Sequence, residues 1–239
     1  MDDSFYYLAV NRQSGLKAEM ATIANNIANL DTPGFRREGM IFSEYVVAAE
    51  RGDSVSMADL DARFASDRPG RQSITAGALD IAIEGEGFFV VEDPLGLRLT
   101  RAGAFQRSEE GLLVTSAGDT VLDAGLAPVF VPPEGEIAIA SDGTVSVDGQ
   151  EQARIGIFTG PQEALTRSGD TGFLVPAEAI TAVEAPKLRQ GALEGSNVDP
   201  VLEIARMIEV SRAYEQAQQL IQDEDDRIRE AIDRLGQPV

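Results

Sequence analysis

The alternation of apolar and polar positions is most regular in the last stretch of the chain, residues 199–235. Apolar residues recur there at alternating steps of four and three, interrupted by Glu224, as in a helix that packs along a partner helix. Asp199 and Pro200 provide an N-cap and a first helical residue, and Gly236 provides the end. The pattern predicts a helix roughly 50 Å long. Its apolar line, the C-terminal seam, consists of Val210, Tyr214, Ala217, Ile221, Ile228, Ala231 and Leu235.

The first turns of this helix are apolar on almost every side. They contain Val201, Leu202, Ile204, Ala205, Met207, Ile208 and Val210. A helix with so little polar surface is buried from several directions. A single chain supplies cover for the seam but not for these turns, so we expect neighbouring copies to cover them.

A second helical pattern occupies residues 5–30, and its apolar positions also recur at steps of four and three. This N-terminal seam consists of Leu16, Met20, Ile23, Ile27 and Leu30. The run from Asp31 through Thr32 and Pro33 to Gly34 ends the helix, because the residue before a proline avoids the helical conformation and glycine opens a turn. The two seams are candidates to cover each other, with two ordinary bundle helices as the alternative.

The middle of the chain has a different pattern. Residues 36–75 are mixed and are interpreted as a connector, although 41–47 could form a strand or a short helix. Residues 76–186 contain short runs of alternating residues separated by turn residues, which predict an antiparallel all-β domain, either a sandwich or a small barrel. Within it, residues 137–139, 145–147 and 154–158 form a predicted three-stranded meander with Asp-Gly turns.

The predicted fold class is therefore α+β. Its terminal helices, in residues 1–35 and 187–239, pair as a coiled-coil-like unit, and the β domain is inserted between them. The acidic start, Met1-Asp2-Asp3, and the lack of an apolar core after it predict export without a cleaved signal, if the protein leaves the cytoplasm. No stretch approaches the ~20 apolar residues of a membrane span.

Composition narrows the possible chemistry. The net charge of -20 disfavours nucleic acids and anionic membrane surfaces as partners. The sequence contains neither cysteine nor histidine, which excludes disulfides, thiolate nucleophiles, histidine-based triads and histidine-ligated zinc. Glu84 and Glu86 could form a carboxylate pair of a hydrolase, but a solvated hairpin end explains them better. Asp142 and Asp148 do not fit a calcium loop. We therefore predict no catalytic residue, cofactor or metal site.

A cluster of asparagines stands out in the last turns of the N-terminal helix. Asn25, Asn26 and Asn29 are mediocre helix formers, because their amides compete for backbone groups. At a packed interface an unsatisfied amide would cost ~1–3 kcal/mol. The pattern predicts that these amides are hydrogen-bonded to something, with a frayed, asparagine-capped turn as the alternative.

Several stretches of the sequence resemble one known family. They are IANNIAN at 23–29 with DTPGF at 31–35, LDIAIEGEGFF at 79–89, TRAGAF at 100–105, and LEGSNV at 193–198 with MIEVSRAY at 207–214. On these stretches, which span most of the chain, it resembles the bacterial flagellar rod and hook proteins. The chain length and Gly195 favour the proximal-rod branch over the distal-rod branch, and the lack of a large insertion disfavours the hook proteins.

The resemblance implies a structural subunit without catalytic activity. Such a subunit polymerises helically through its end helices into a tubular axle that encloses the export channel and transmits torque across the periplasm. The implied partners are copies of itself, other rod proteins and the flagellar type III export apparatus. A distal-rod member, or a protein whose β domain binds peptidoglycan, remains the alternative. The predicted subunit-interface residues are Leu16, Met20, Ile23, Asn25, Asn26, Ile27, Asn29, Leu30, Asp31, Thr32, Pro33, Gly34, Phe35, Asn197, Val201, Ile204, Met207, Ile208, Val210, Tyr214, Ala217, Ile221 and Ile228.

Overall fold

The computed structural model describes residues 3–48, 54–161, 164–169 and 171–235. It is an α+β protein whose sheets are built from antiparallel strands, as the sequence pattern predicted. The chain divides into two units. The helical unit comprises Met1–Ala28, Glu38–Ala65 and Asp199–Val239, and the β unit comprises Asn29–Arg37 and Ser66–Val198. Gly236 and the side chains of Ala231 and Leu235, all used in the sequence prediction, lie outside the described residues.

The helical unit is built from two helices and a long hairpin. The helices are α1 (Asp3–Ala28) and α2 (Pro200–Leu235), and the hairpin consists of the antiparallel strands β1 (Glu38–Ala48) and β2 (Ser54–Ala65). Helix α1 contacts α2 and both strands of the hairpin. Among the described residues no helix is long and apolar enough to cross a membrane.

Helix α1 ends earlier than its seam predicted, since Leu30 lies beyond it in the β unit. The backbone N–H of Thr32 donates to the carbonyl of Asn29 at 3.3 Å, so the chain turns where the pattern still suggested helix. Residues 36–75, interpreted as a connector, instead contain β1, β2 and the strand β3 (Gln72–Ile74). A hairpin of two strands with many polar positions has the same composition as a connector. Only the pairing between its strands, which composition does not reveal, distinguishes a hairpin from a connector.

The β unit contains many short strands, which supports the interpretation of the turn-rich middle segment. After β3 they are β4 (Ile81–Ile83), β5 (Phe88–Asp93), β6 (Gly96–Thr100), β7 (Phe105–Arg107), β8 (Leu113–Thr115), β9 (Thr120–Val121), β10 (Ile137–Ile139), β11 (Thr144–Val147), β12 (Gln150–Arg154), β13 (Ile157–Thr159), β14 (Thr166–Ser168), β15 (Gly172–Leu174), β16 (Thr181–Ala182), β17 (Leu188–Gln190) and β18 (Ala192–Glu194).

The main sheet has nine strands in the open order β14-β15-β6-β5-β9-β8-β7, with β13 pairing β5 and β16. Strand β5 is buried on both faces. Its Phe89 and Val91 enter the larger core cluster, which Val145 of the meander and Leu188 also join, and its Val90 enters a second cluster. The core thus lies between layers of strands, which favours the sandwich alternative over the small barrel.

Strands β10, β11 and β12 form the predicted antiparallel meander. Its third strand is β12, at residues 150–154 rather than the predicted 154–158. Ile157 and Phe158 belong to β13 and pair with β5 instead. Residues from 187 onward were assigned to the helices, but β17 pairs with β4 and β18 pairs with β3. A strand of three residues shows the apolar–polar alternation only once. Its sequence therefore cannot be distinguished from that of a loop before a helix.

Candidate functional site

The start of α2 is capped as its sequence predicted. The Asp199 carboxylate accepts the backbone N–H groups of Val201 and Leu202, at 2.9 and 3.2 Å. Pro200 is the first helical residue, where its missing N–H costs nothing. The cap fixes the helical register, and with it the direction in which each apolar side chain of the first turns points.

The first turns of α2 expose a contiguous apolar face. Val201 is 74% exposed, Leu202 61%, and Ile204 and Ile208 50% each. These side chains are what we call the exposed α2 face. Glu203 and Val210 of the same helix are buried, so the helix is covered on one side and open on the other. A shallow groove of about 360 Å³ continues this face. It is lined by Ala205, Ile208, Glu209, Arg212, Ala213 and Gln216.

The two seams lie on partly covered surfaces of the helical unit. In α2, Val210 is buried, and the side chains of Tyr214, Ala217, Ile221 and Ile228 are half-buried. In α1, Ile23 is buried, and Leu16, Met20 and Ile27 are half-buried. Since α1 and α2 contact each other, the seam residues have cover within the unit that the exposed α2 face lacks.

Asn26 is the wholly buried centre of a polar cluster that joins α1, β1 and α2. Its side-chain Nδ2 donates to the carbonyl of Glu38 at 2.9 Å and to Oε2 of Glu203 at 3.1 Å. Its Oδ1 accepts the backbone N–H of Glu38 at 2.9 Å. The amide therefore pairs with β1 as a neighbouring strand would, and it meets α2 at the same time. The predicted need for hydrogen bonds at this asparagine is confirmed.

The DTPGF stretch at residues 31–35 belongs to the β unit. We call residues 29–37 the strap. Phe35 is fully buried, and the guanidinium of Arg167 lies 4.6 Å from its ring centre. Gly34 has a φ of +74°, and a Cβ there would meet the backbone N of Ala102 at 2.1 Å. The strap thus needs glycine for its conformation as well as for its close approach to the next segment.

A buried ionic cluster holds the strap. The carboxylate of Glu194 accepts Nη2 of Arg36 at 2.9 Å and Nη1 of Arg101 at 3.0 Å. All three side chains are 5% exposed or less. The backbone N–H of Gly70 donates to Oε1 of Glu194 at 2.9 Å, and that of Gly34 donates to the Glu194 carbonyl at 2.8 Å. We call this group the Glu194 cluster.

Burial lowers the pKa of both guanidinium groups in the Glu194 cluster, and attraction to the Glu194 carboxylate opposes that effect. Arg36 also donates to the carbonyl of Arg68, and Nη2 of Arg101 donates to the carbonyl of Gly85 at 2.7 Å. Two cations are therefore held out of water by one carboxylate and by backbone carbonyls. Such an arrangement is costly unless every member is in place.

Asn197, in the LEGSNV stretch, also binds the strap. Its Oδ1 accepts the backbone N–H of Arg37 at 2.6 Å, and its Nδ2 donates to the carbonyl of Arg68 at 2.7 Å. Its own N–H donates to the carbonyl of Phe35 at 3.3 Å. The DTPGF stretch and the LEGSNV stretch thus meet inside one chain.

The predicted interface residues fall into several environments. Val201, Ile204 and Ile208 are exposed, and Met207 is half-buried. Asn26 is inside the helical unit, while Gly34 and Phe35 are inside the β unit. Asn25 is half-buried and its Nδ2 lies 3.4 Å from Oε1 of Glu38. The side chains of the strap's first half range from buried to exposed, for Asn29, Leu30, Asp31, Thr32 and Pro33.

Sequence reasoning missed the charged members of these clusters. They are Arg36, Glu38, Arg101, Glu194 and Glu203. No local signal marked Arg101 or Glu194 among the other charges of the sequence, because each becomes buried only where segments that are distant in sequence meet. The proposed carboxylate pair does not form a site: Glu84 pairs with Arg189 at the surface, and Glu86 is exposed.

Comparisons with known proteins agree with the resemblance along most of the chain. Residues 7–36 match the family model of the flagella basal body rod protein. Residues 82–147 match that of the flagellar hook protein FlgE/F/G D1 domain. Residues 189–234 match that of the flagellar basal body rod FlgEFG protein C-terminal.

Individual relatives are similar over nearly the whole length. The chain is 37% identical to the flagellar basal-body rod protein FlgF of Mesorhizobium japonicum over 99% of both chains. It is 37% identical to FlgF of Caulobacter vibrioides over 98% of both chains. It is 34% identical to FlgF of Rhizobium meliloti over 96% of this chain and 97% of the relative. The chain therefore belongs to the family of flagellar basal-body rod proteins, which are structural and not enzymes, and within it to the FlgF-like members.

Proposed function

We propose that this chain is a proximal-rod subunit that polymerises helically through its terminal helices. In this proposal it forms part of an axle that encloses the export channel and transmits torque across the periplasm. Its partners are copies of itself and other rod proteins, and it reaches them through the flagellar type III export apparatus without a cleaved signal. The similarity to FlgF along both full chains supports the place in the rod.

The observation that carries the polymerisation proposal is the exposed α2 face. Val201, Ile204 and Ile208 are at least half exposed, although they follow a well-formed cap and precede the buried Val210. Burying a side chain of this type contributes roughly 1.5–3 kcal/mol. A contiguous apolar face on a soluble protein is typical of a protein–protein interface. In the proposal this face docks on the helices of neighbouring subunits.

The seams have a different role in the proposal: α1 and α2 of one chain pair as a coiled coil. The heptad spacing supports this pairing, and so do the burial of Ile23 in α1 and the partial burial of Ile221 in α2. An internal pair of helices would give each subunit a stiff element. The exposed α2 face then remains available for contacts between subunits.

The experiment uses a double variant of the exposed α2 face, Ile204→Asp combined with Ile208→Asp. The variant is expressed in a strain from which the chromosomal gene has been deleted. We expect swimming to be lost and rods to be absent from purified basal bodies, because a charge at a packed contact cannot be desolvated without a partner. The purified monomer should unfold within about 0.5 kcal/mol of wild type, since both sites are exposed.

The matched control is Gln218→Asp with Gln222→Asp. It adds the same charge at the same spacing to exposed polar positions of the same helix. It should retain swimming. Normal rods in the Ile204/Ile208 variant, or an equal loss in the control, would show that this face is not the polymer contact.

A further inference from the structure

The DTPGF and LEGSN stretches read in sequence as parts of a contact between subunits, but the structure brings them together within one chain. Gly34 and Phe35 are buried in the β unit, and Asn197 binds the backbone of Arg37. Gly34 and Phe35 are buried and have no surface to offer a neighbour, and the side chain of Asn197 already has partners inside the chain. The contacts that these three residues make therefore lie within each subunit.

The contacts of the strap are polar and directional rather than mainly apolar. Its Gly34 N–H and its Arg36 side chain both bind Glu194, the first through the backbone carbonyl and the second through the carboxylate. Phe35 is its fully buried apolar anchor. Glu194 also binds Arg101 and the N–H of Gly70, so three separate stretches of the chain converge on this residue.

We propose that Glu194 is a positioning residue whose carboxylate, paired with Arg36 and Arg101, holds the strap against the rest of the β unit. The ion pairs fix where the strap lies, and backbone bonds at Gly34 and Arg37 complete the attachment. Without the carboxylate the two buried guanidinium groups lose their counter-charge. The strap carries one of these two groups, that of Arg36, so it is the strap that then loses its attachment.

Glycines on both sides of the cluster support a closely fitted lock. A Cβ at Gly70 would lie 1.9 Å from the carbonyl oxygen of Gly195, and a Cβ at Gly34 would meet the backbone of Ala102. Backbone segments that approach so closely fit only in one relative position. The ionic cluster and the glycine contacts therefore select the same placement of the strap.

The test measures amide hydrogen exchange in the purified full-length protein. In Glu194→Gln, which keeps the size of the side chain, exchange in the strap should accelerate about 100-fold or more, because breaking a buried ion pair is strongly destabilising. The β5 and β6 amides should exchange at wild-type rates. The matched control is Glu84→Gln, which removes the exposed partner of Arg189 and should leave the strap unchanged.

Substitutions of Arg36 keep the proposal testable if Glu194→Gln folds poorly, and a double-mutant cycle extends the test if both variants fold. Arg36→Met should accelerate strap exchange selectively, and Glu194→Gln added to it should accelerate the strap little further, because the pair is already broken. Arg36→Lys retains the charge and should recover most of the slow exchange. Additive effects, an unchanged strap, or equal acceleration throughout the β unit would overturn the proposal.

The assembly consequence rests on the proposed function, whereas the exchange experiment does not. If the strap lock serves rod building, Glu194→Gln should reduce swimming while the exposed α2 face is intact. Fast strap exchange with normal swimming would leave the lock standing as a feature of the monomer and overturn its role in assembly. Failure of the Ile204/Ile208 test would instead remove the polymerisation proposal.

Discussion

At the scale of single residues, the asparagine and charged clusters determine which segments lie next to each other. Asn26 is the clearest case, because one amide satisfies both backbone groups of Glu38 and a carboxylate oxygen of Glu203. No other neutral side chain of this size offers two donors and an acceptor. The residue thus specifies how α1, β1 and α2 meet in the helical unit.

We expect Asn26→Ala to lower the free energy of unfolding of the helical unit by about 3 kcal/mol, because it leaves the buried groups of Glu38 and Glu203 with fewer partners. Asn26→Asp should cost more, since it adds a third carboxylate to the cluster. Chemical denaturation followed by helical circular dichroism measures both. Ser14→Ala, at an exposed site of α1, is the control. Equal stability of Asn26→Ala and wild type would contradict the role of the amide.

The sequence predicts part of this arrangement and not the rest, for a physical reason. A poor helix former inside a seam indicates that Asn26 needs hydrogen bonds, because its cost is local. The Glu194 cluster joins residues 36, 101 and 194, which are far apart along the chain. Each of its charges is individually ordinary, and only the three-dimensional fold removes them from water. Local patterns contain no information about such a meeting.

At the scale of elements, periodicity gave long helices and left short strands uncertain. The range of α2 agrees with its predicted cap, proline and seam, since a helix of this length repeats its signal many times. The strand alternative for residues 41–47 is confirmed by β1. The partner strand β2 was missed, because its many polar residues resemble the composition of a connector. Strands β17 and β18 were missed because three residues contain a single repeat of the alternation, and a strand is recognised only when the alternation extends over four residues or more.

The seam prediction can be tested at Ile221, which is half-buried in the middle of α2. We expect Ile221→Asp to destabilise the helical unit by about 2 kcal/mol, because the carboxylate is forced against an apolar surface, and to block rod assembly. Gln222→Asp places the same charge on an exposed position one residue away and should do neither. Calorimetry and a swimming assay provide the readouts. Unchanged helix stability in Ile221→Asp would contradict the predicted pairing.

At the scale of the whole molecule, each unit has its own buried residues, and the two units hold different functional features. The β unit holds the large apolar clusters and the Glu194 cluster, while the helical unit holds the Asn26 cluster and the exposed α2 face. A subunit whose polymer contact is separate from its main core can acquire a new contact without repacking that core. Core substitutions and contact substitutions should therefore have separable effects.

Leu113 tests this separation, because it is fully buried in the larger core cluster of the β unit. We expect Leu113→Ala to lower the free energy of unfolding of the β unit by about 3 kcal/mol, through lost burial and the cavity that remains. Amide exchange in α2 should stay at its wild-type rate. Leu95→Ala is the matched control, since that leucine is 75% exposed, and should change stability by no more than about 0.5 kcal/mol. Equal acceleration of amide exchange in α2 and in the β unit of Leu113→Ala would show that the two units unfold together. The effects of contact substitutions such as Ile204→Asp could then not be separated from effects on the core.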